Sequence, residues 1–381
     1  MRNIIIILTL ILIFFSFADK THAIYDPLSK PNNIFGIHIL YPEEVSQASS
    51  LVNSSGGDWG YVTIPIQASD KDLDKWQNFM DQCAKYHLIP IIRLATVGDY
   101  FSKASWSIPT DNDVLDFANF LNSLNWPTKN RYVVVFNEPN RGDEWGGAPD
   151  ASSYAQILDY AVDIFKQRNP DFFIISAGLD NASSNIPGVS IDDFTYMYQM
   201  DSAVPGIFGK IDGLSSHSYP NPGFSQPPNS LSEGINSFFY QDNTAFELSD
   251  KKLPVFITET GWSSDKVNLE VQAKYYTYAF NNYWKNNNVV AVTPFVFGQA
   301  EGPFAQFSFL KNGGENAIYT NYVNFPKIKG EPEFSPYMKA NLNTTNNVIP
   351  TEKFNINESI NSVFKHINTS SKAFFKWLLK A

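Results

Sequence analysis

Short apolar runs alternate with longer amphipathic stretches along nearly the whole chain. The apolar runs are NIFGIHIL (33–40), YVTIPIQ (61–67), LIPIIRLAT (88–96), RYVVVFNE (131–138), FFIISAG (172–178), IDGLSSHSY (211–219), LPVFITET (253–260) and VVAVTPFVFG (289–298). Such β-branched runs belong to parallel strands buried on both faces. The segments 42–53, 70–87, 111–125, 151–168, 190–200, 230–248 and 266–287 between them carry helical spacing. Asp70, Thr110 and Asp150 stand just before three of these and suit their N-caps. Eight strand–crossover units over about 300 residues predict an α/β fold, a (β/α)8 TIM barrel. A doubly wound open sheet is the alternative. It would typically carry a glycine-rich phosphate loop after the first strand, and GIHILYPEE has none.

The two ends of the chain depart from this rhythm. A basic start at Arg2, an uncharged apolar run over 4–17 and small residues ending at Ala23 read as a secretory signal peptide over 1–23. An uncleaved anchor is the alternative, although the run is short for a spanning helix, which needs about twenty residues. Either way the expected location is extracytoplasmic, secreted or in the cell envelope. The barrel domain is expected over 24–340, with its last active-face loop and eighth helix in the stretch 298–335. From Asn341 the Asn/Thr-rich NLNTTNNVIP reads as a linker to a C-terminal tail ending at Ala381. No acidic residue follows Glu358, and Phe374, Phe375, Trp377, Leu378 and Leu379 lie among Lys372, Lys376 and Lys380. That composition suits a helix lying on an anionic membrane or cell-wall surface. The plainer alternative is a terminal helix packed on the barrel or left without order.

Charge and cysteine content narrow the function classes. Removing 1–23 takes away two basic residues and one acidic one, so the whole-chain charge of −10 becomes −11. An acidic body without Lys/Arg runs argues against nucleic acid as a partner. Cys83 is the only cysteine, which excludes an intramolecular disulfide and a lipoprotein anchor just after the leader. Stability must therefore come from the core, and 43% hydrophobic residues with 31 Phe, 19 Tyr and 8 Trp supply one. The five histidines show no metal-ligand spacing, so neither metal nor cofactor is expected. GLSSHS is not a nucleophile elbow, and no Walker loop is present. A monomer is expected.

Barrel enzymes carry reacting groups at the C-terminal ends of strands. On this chain those ends hold His38, Arg93, Asn137-Glu138, His217-Ser218-Tyr219 and Thr258-Glu259-Thr260. Glu138 on strand four and Glu259 on strand seven face each other across the barrel mouth. Two such carboxylates can cleave a glycosidic bond, one donating a proton to the leaving oxygen while the other attacks the anomeric carbon. A single Glu at a strand end is more often a cap or a surface ion pair. A pair set in apolar runs and flanked by Asn, His, Tyr and Trp points to chemistry instead. The apolar strand before Glu138 is expected to help keep that carboxyl protonated.

FNEPN (136–140) and ITETGW (257–262) resemble the acid/base and nucleophile motifs of clan A glycoside hydrolases, retaining (β/α)8 enzymes that include cellulases, mannanases, xylanases and β-glycosidases. The resemblance extends over roughly 33–335. It implies Glu138 as general acid/base, Glu259 as nucleophile, Asn137 as a ligand of the sugar 2-hydroxyl and Tyr219 as the tyrosine that steadies the nucleophile, with His217 lining the same floor. His38 and Arg93 either line the sugar floor or serve as a core histidine and a structural ion pair. The family-five cellulases of the clan carry an arginine on strand two where this chain has Thr63, and a tryptophan at the end of strand eight where it offers Phe295 or Phe297; Phe297 is taken here as the substrate-binding one.

Sugar faces pack on aromatic rings. Trp145 and Trp262, close behind the two glutamates, are expected as platforms, with Trp106 a further candidate and Trp76, Trp126 and Trp284 as packing residues. PNPGFSQPP after strand six is expected to wall one side of the cleft. The implied activity is cofactor-free, retaining hydrolysis of a β-linked oligo- or polysaccharide, with the carboxyls about 5–5.5 Å apart. A transglycosylase and a non-catalytic carbohydrate-binding barrel are the rivals.

Overall fold

A computed structural model describes residues 24–98, 105–230, 234–285, 288–298, 302–311 and 314–345. The leader expected over 1–23 and the tail beyond 345 lie outside the described residues. Eight parallel strands alternate with helices: β1 Gly36–His38, β2 Gly60–Gln67, β3 Leu88–Ala95, β4 Arg131–Val134, β5 Phe172–Ile175, β6 Leu214–His217, β7 Val255–Glu259 and β8 Val289–Val292. Strands β1 to β5 pair in sequence order, and so do β6 to β8. Single bridges close the two seams, Ile175 to Gly213 between β5 and β6 and Phe35 to Val292 between β8 and β1. The result is the closed (β/α)8 barrel that the alternation of runs predicts.

Strand pleating sends alternate side chains inward, and they fill the barrel in tiers. At the bottom, rings from three different strands meet: Tyr132 lies 5.0 Å from Phe173 and 5.4 Å from Phe256, with Phe173 and Phe256 5.7 Å apart. The middle tier turns polar but stays internally satisfied. Thr63 bonds Thr293 at 2.9 Å, and Ser215 bonds Thr258. The top tier holds His38, Arg93, Glu138, His217 and Glu259, all buried. The other strand faces, including Ile64, Ile92, Val133, Ile174 and Ile257, join a core with the surrounding helices.

Those helices are α1 Val45–Val52, α2 Leu73–Lys85, α3 Asp111–Ser123, α4 Ala151–Arg168, α5 Asp193–Ala203, the short α6 Ile207–Lys210, α7 Ser237–Ser249, α8 Leu269–Ala279, α9 Ala317–Asn324 and α10 Pro336–Thr345. Thr110 and Asp150 cap α3 and α4 as expected, accepting from the amides of Asp113 and Ser153. Asp70 does not cap α2. A turn returns its amide to the Gln67 carbonyl, its carboxylate pairs with Lys75, and Asp72 takes the cap. Trp76, Trp126 and Trp284 are buried packing residues. A compact unit runs through Met338, and a second begins at Lys339, of which residues 339–345 are described. These complete α10, so the first residues of the Asn/Thr-rich stretch are helical rather than linker. Ser335 favours this start by accepting from the Met338 amide at 3.1 Å.

One buried cation ties α9 to the turn after α1. Lys327 Nζ donates to Ser54 Oγ at 2.8 Å and to the carbonyls of Tyr322 at 2.6 Å and Phe325 at 3.3 Å, while lying 4.9 Å over the Phe35 ring. These carbonyls sit at a helix end, where backbone acceptors lack intrahelical partners. Lys327→Met keeps the stem and removes the donor. It should lower unfolding free energy by about 2–3 kcal/mol in equilibrium chemical denaturation. A change under about 0.5 kcal/mol would show that only the stem contributes.

Candidate active site

The backbone that presents Glu138 leaves regular structure before it gets there. β4 stops at Val134, Val135 still donates to Ile175 at 3.0 Å, and then Phe136 and Glu138 adopt φ of 69° and 35°. Positive φ in residues with side chains costs about 1–3 kcal/mol each and persists only when the surroundings impose it. Two buried polar clamps do so here. The Tyr154 hydroxyl donates to the Val135 carbonyl at 3.1 Å and accepts from the Ala177 amide at 2.6 Å. The fully buried Asn140 side chain bonds the amide and carbonyl of Asp180 and the carbonyl of Ile191, each at 3.0 Å. Asn140 thus locks the loop after β4 to the loop after β5.

Both oxygens of Glu138 are engaged. Oε1 lies 2.7 Å from Nδ1 of His217, and Oε2 accepts from Nη1 of Arg141 at 3.0 Å. The other edge of the Arg141 fork grips Asp143, with Nε and Nη2 at 3.1 and 2.6 Å. Glu259 accepts from the Tyr219 hydroxyl at 3.0 Å, and Nε2 of His38 stands 3.7 Å from its other oxygen. One oxygen of Glu138, one of Glu259 and a ring nitrogen of His217 all lie within 4.8 Å of one another. The seat of His217 requires glycine behind it. A Cβ on Gly178 would come within 2.1 Å of the imidazole.

The charges of this tier are set by partners from distant strands. Burial alone would raise the Glu138 carboxyl, but the His217 hydrogen bond and the Arg141 charge prevail and hold it at about 2. The apolar strand therefore does not keep Glu138 protonated, as the sequence led us to expect. The opposing contributions come from His217 on β6 and from Arg141 in the loop after β4. His217 is itself raised above the ordinary histidine value: burial opposes its charge, and the Glu259 and Glu138 carboxylates outweigh burial. His38 is pushed the other way by burial, Arg93 and His217, and stays neutral. Glu144, half-buried beside the Glu138 carboxylate, is pushed up to about 7 by desolvation and then by that charge.

These groups open into a cleft of about 350 Å³. Asn137, Glu138, Tyr219, Glu259 and Arg93 line it, with His38 and His217 behind the carboxylates. Thr63 is committed to Thr293, and Arg93 on β3 supplies the positive charge near Glu138 instead. The expected aromatic platforms need correction. Trp145 borders the cleft but is 1% exposed, wedged edge-on against Phe136 and Tyr154, and presents no ring face. Trp262 lies in the core, its indole donating to the Gln226 carbonyl and its ring packed on Tyr276. Phe297 turns toward Tyr319 on α9, and Phe295 lines the cleft.

Trp106 does reach the cleft, packed so closely over Gly98 that a Cβ there would lie 2.4 Å from the indole. Phe224, from the proline-rich loop after β6, walls it, together with Phe304 and Phe307. Arg141, Asp143, Glu144 and Asp180 also line it and were not anticipated. The signal for the first three was present, since NRGDEWGG places three charges directly behind the strand-four glutamate. A wider surface depression of about 620 Å³ runs between Ile108 and Gln199, but its one charged group, Asp150, is committed to capping α4.

No protein-family model and no curated protein matches the chain. Solved structures do. The chain is similar to a family 39 glycoside hydrolase from the gut symbiont Bacteroides cellulosilyticus WH2, at 18% identity and a TM-score of 0.57, over 78% of this chain and 64% of that one. It therefore spans just under two thirds of that protein's length. It is also similar to a GH39 β-xylosidase from Caulobacter crescentus (16% identity, TM-score 0.54, 77% of this chain and 71% of that one). A GH5_18 structure from Bifidobacterium longum subsp. infantis matches as well (11% identity, TM-score 0.56, 78% and 81%). At such identities the likeness is one of fold, the (β/α)8 barrel that the strand order shows.

Proposed function

We propose that this chain is a retaining glycoside hydrolase that cleaves O-glycosidic bonds of a β-linked oligo- or polysaccharide by double displacement. The observation that carries the reading is the pair of buried glutamates at the ends of β4 and β7, with an oxygen of each within 4.8 Å of the other at the base of one cleft. That spacing suits direct attack by one carboxylate, and an inverting pair would stand farther apart to admit a water between them. The apolar run over 4–17 supports an exported site of action.

Glu259 is the nucleophile in this scheme. The Tyr219 hydroxyl fixes its Oε2, and attack on the anomeric carbon forms a glycosyl–enzyme ester while the bond to the leaving oxygen breaks. Glu138 gives that oxygen a proton, then removes one from the water that hydrolyses the ester. The proton resides on the His217 side of the Glu138–His217 pair. The two groups titrate together, and the pair loses its shared proton above the ordinary histidine range. Asn137 bonds the sugar beside the scissile bond, and Trp106, Phe224 and Phe295 offer rings to its C–H faces.

Glu138→Gln and Glu259→Gln should each lower kcat/KM on aryl β-glycosides by roughly 10³-fold, with the first-formed wild-type product in the β configuration by NMR. An α product, or full turnover by Glu259→Gln, would rule out the scheme. Added acceptor sugar distinguishes hydrolysis from transfer in the same assay.

Trp106→Ala should raise KM for the best oligosaccharide of a screening panel by roughly five- to ten-fold, and raise it less for the matching aryl monoglycoside. Equal effects on both would remove Trp106 as a platform for the longer ligand.

A further inference from the structure

The carboxyl oxygen that protonates a leaving group must face it, and in this structure neither Glu138 oxygen is free to do so. Oε1 meets the imidazole of His217, whose side chain is fully buried and seated against Gly178. Oε2 lies under the guanidinium of Arg141, which lines the cleft together with Glu138. Of the two partners only Arg141 can withdraw. Its side chain is 37% exposed, it belongs to the loop after β4, and its fork already grips Asp143 with two nitrogens.

We infer that Arg141 is a positioning residue that covers the leaving-group side of Glu138 in the empty cleft and is displaced onto Asp143 when a glycan enters. The inference rests on the hydrolase reading for its purpose but not for its geometry. The covering loop is also tied to a wall of the cleft. The Trp106 amide donates to the Asp143 carbonyl and the Gly146 amide to the Trp106 carbonyl, both at 2.8 Å. A sugar packing on Trp106 therefore presses on the same segment that holds Arg141. Asp143 keeps the displaced guanidinium neutralised, so uncovering Oε2 strands no unpaired cation.

Other charged groups around Glu138 do not duplicate this role. Arg93 on β3 and His217 on β6 are buried and fixed, while Glu144, Asp180 and Glu259 repel its charge from the loop after β4, the loop after β5 and β7. Tyr219, just after β6, is bonded to Glu259, and His38 on β1 stands beside Glu259. Among the described residues, Arg141 is thus the one cation at Glu138 that is both partly exposed and anchored elsewhere.

The test uses the full chain with 13C-labelled glutamate carboxyls in the wild type, Arg141→Gln and Arg141→Lys. Removing the cation should move the Glu138 titration upward by about one pH unit, and Arg141→Lys, which keeps the charge, should stay near the wild type. An unmoved titration in Arg141→Gln overturns the inference whether or not any glycoside is cleaved. The second arm measures p-nitrophenyl β-glycosides of glucose and xylose. Because a ligand no longer has to displace the guanidinium, KM should fall about five-fold in Arg141→Gln, and the alkaline limb of kcat/KM should move up with the titration. A KM that rises instead makes Arg141 a fixed ligand or loop brace and sinks the displacement. If the wild type cleaves no glycoside while the titration shifts as expected, the hydrolase reading fails and the cover over Glu138 stands.

Discussion

Two carboxylates share the mouth of a barrel whose lower tiers are rings and hydroxyls, and the rest of the upper structure answers that constraint. A buried charge without partners is strongly disfavoured, and two like charges within 4.8 Å disfavour each other as well. Compensation comes from every side. His217 and Arg141 take the two oxygens of Glu138, Arg93 adds its charge from β3, and the Tyr219 hydroxyl holds Glu259. These partners come from β3, from the end of β6 and from the loop after β4, so the arrangement exists only when the barrel has closed. Closure in turn depends on the rings of Tyr132, Phe173 and Phe256 filling the bottom.

The same constraint explains the backbone strain at Phe136 and Glu138. A regular strand would carry the chain on past Val134 and alternate its side chains in and out. Turning Phe136 and Glu138 to positive φ bends the segment across the mouth and brings the carboxyl over His217. Tyr154 and Asn140 hold that bend from below and from the side. Neither touches the cleft chemistry, but both fix its geometry. Gly178 completes the set by leaving the space that His217 fills.

What the sequence disclosed follows the reach of local patterns. Eight apolar runs and the strand-end rule were enough for the barrel and for placing Glu138 and Glu259 together at its mouth, because both depend on period and position along the chain. The charge state of Glu138 was not legible, since the apolar strand leading into it is local while His217 comes from β6. The aromatic platforms were misjudged for a related reason. Chain proximity to a glutamate does not give ring direction, and Trp145 and Trp262 point into packing against Tyr154 and Tyr276. Trp106 was harder to place because it lies in a long loop far from either motif.

The cleft that results combines a charged floor with walls of Phe and one Trp. Its floor carries more carboxyls than a two-glutamate mechanism uses, with Asp143, Glu144 and Asp180 beside the pair and Arg93 and Arg141 as the cations. Arg141 is spoken for by Asp143 and Glu138, and Arg93 stands among the reacting groups. Glu144, pushed up to about 7, is half neutral near that pH and can donate as well as accept a hydrogen bond. Such a floor suits hydroxyl-rich neutral sugars, which need donors and acceptors in close alternation. Five carboxyls line the cleft against two arginines, so if the proposed glycan binds there, the electrostatics that stabilise the buried pair also disfavour an anionic one.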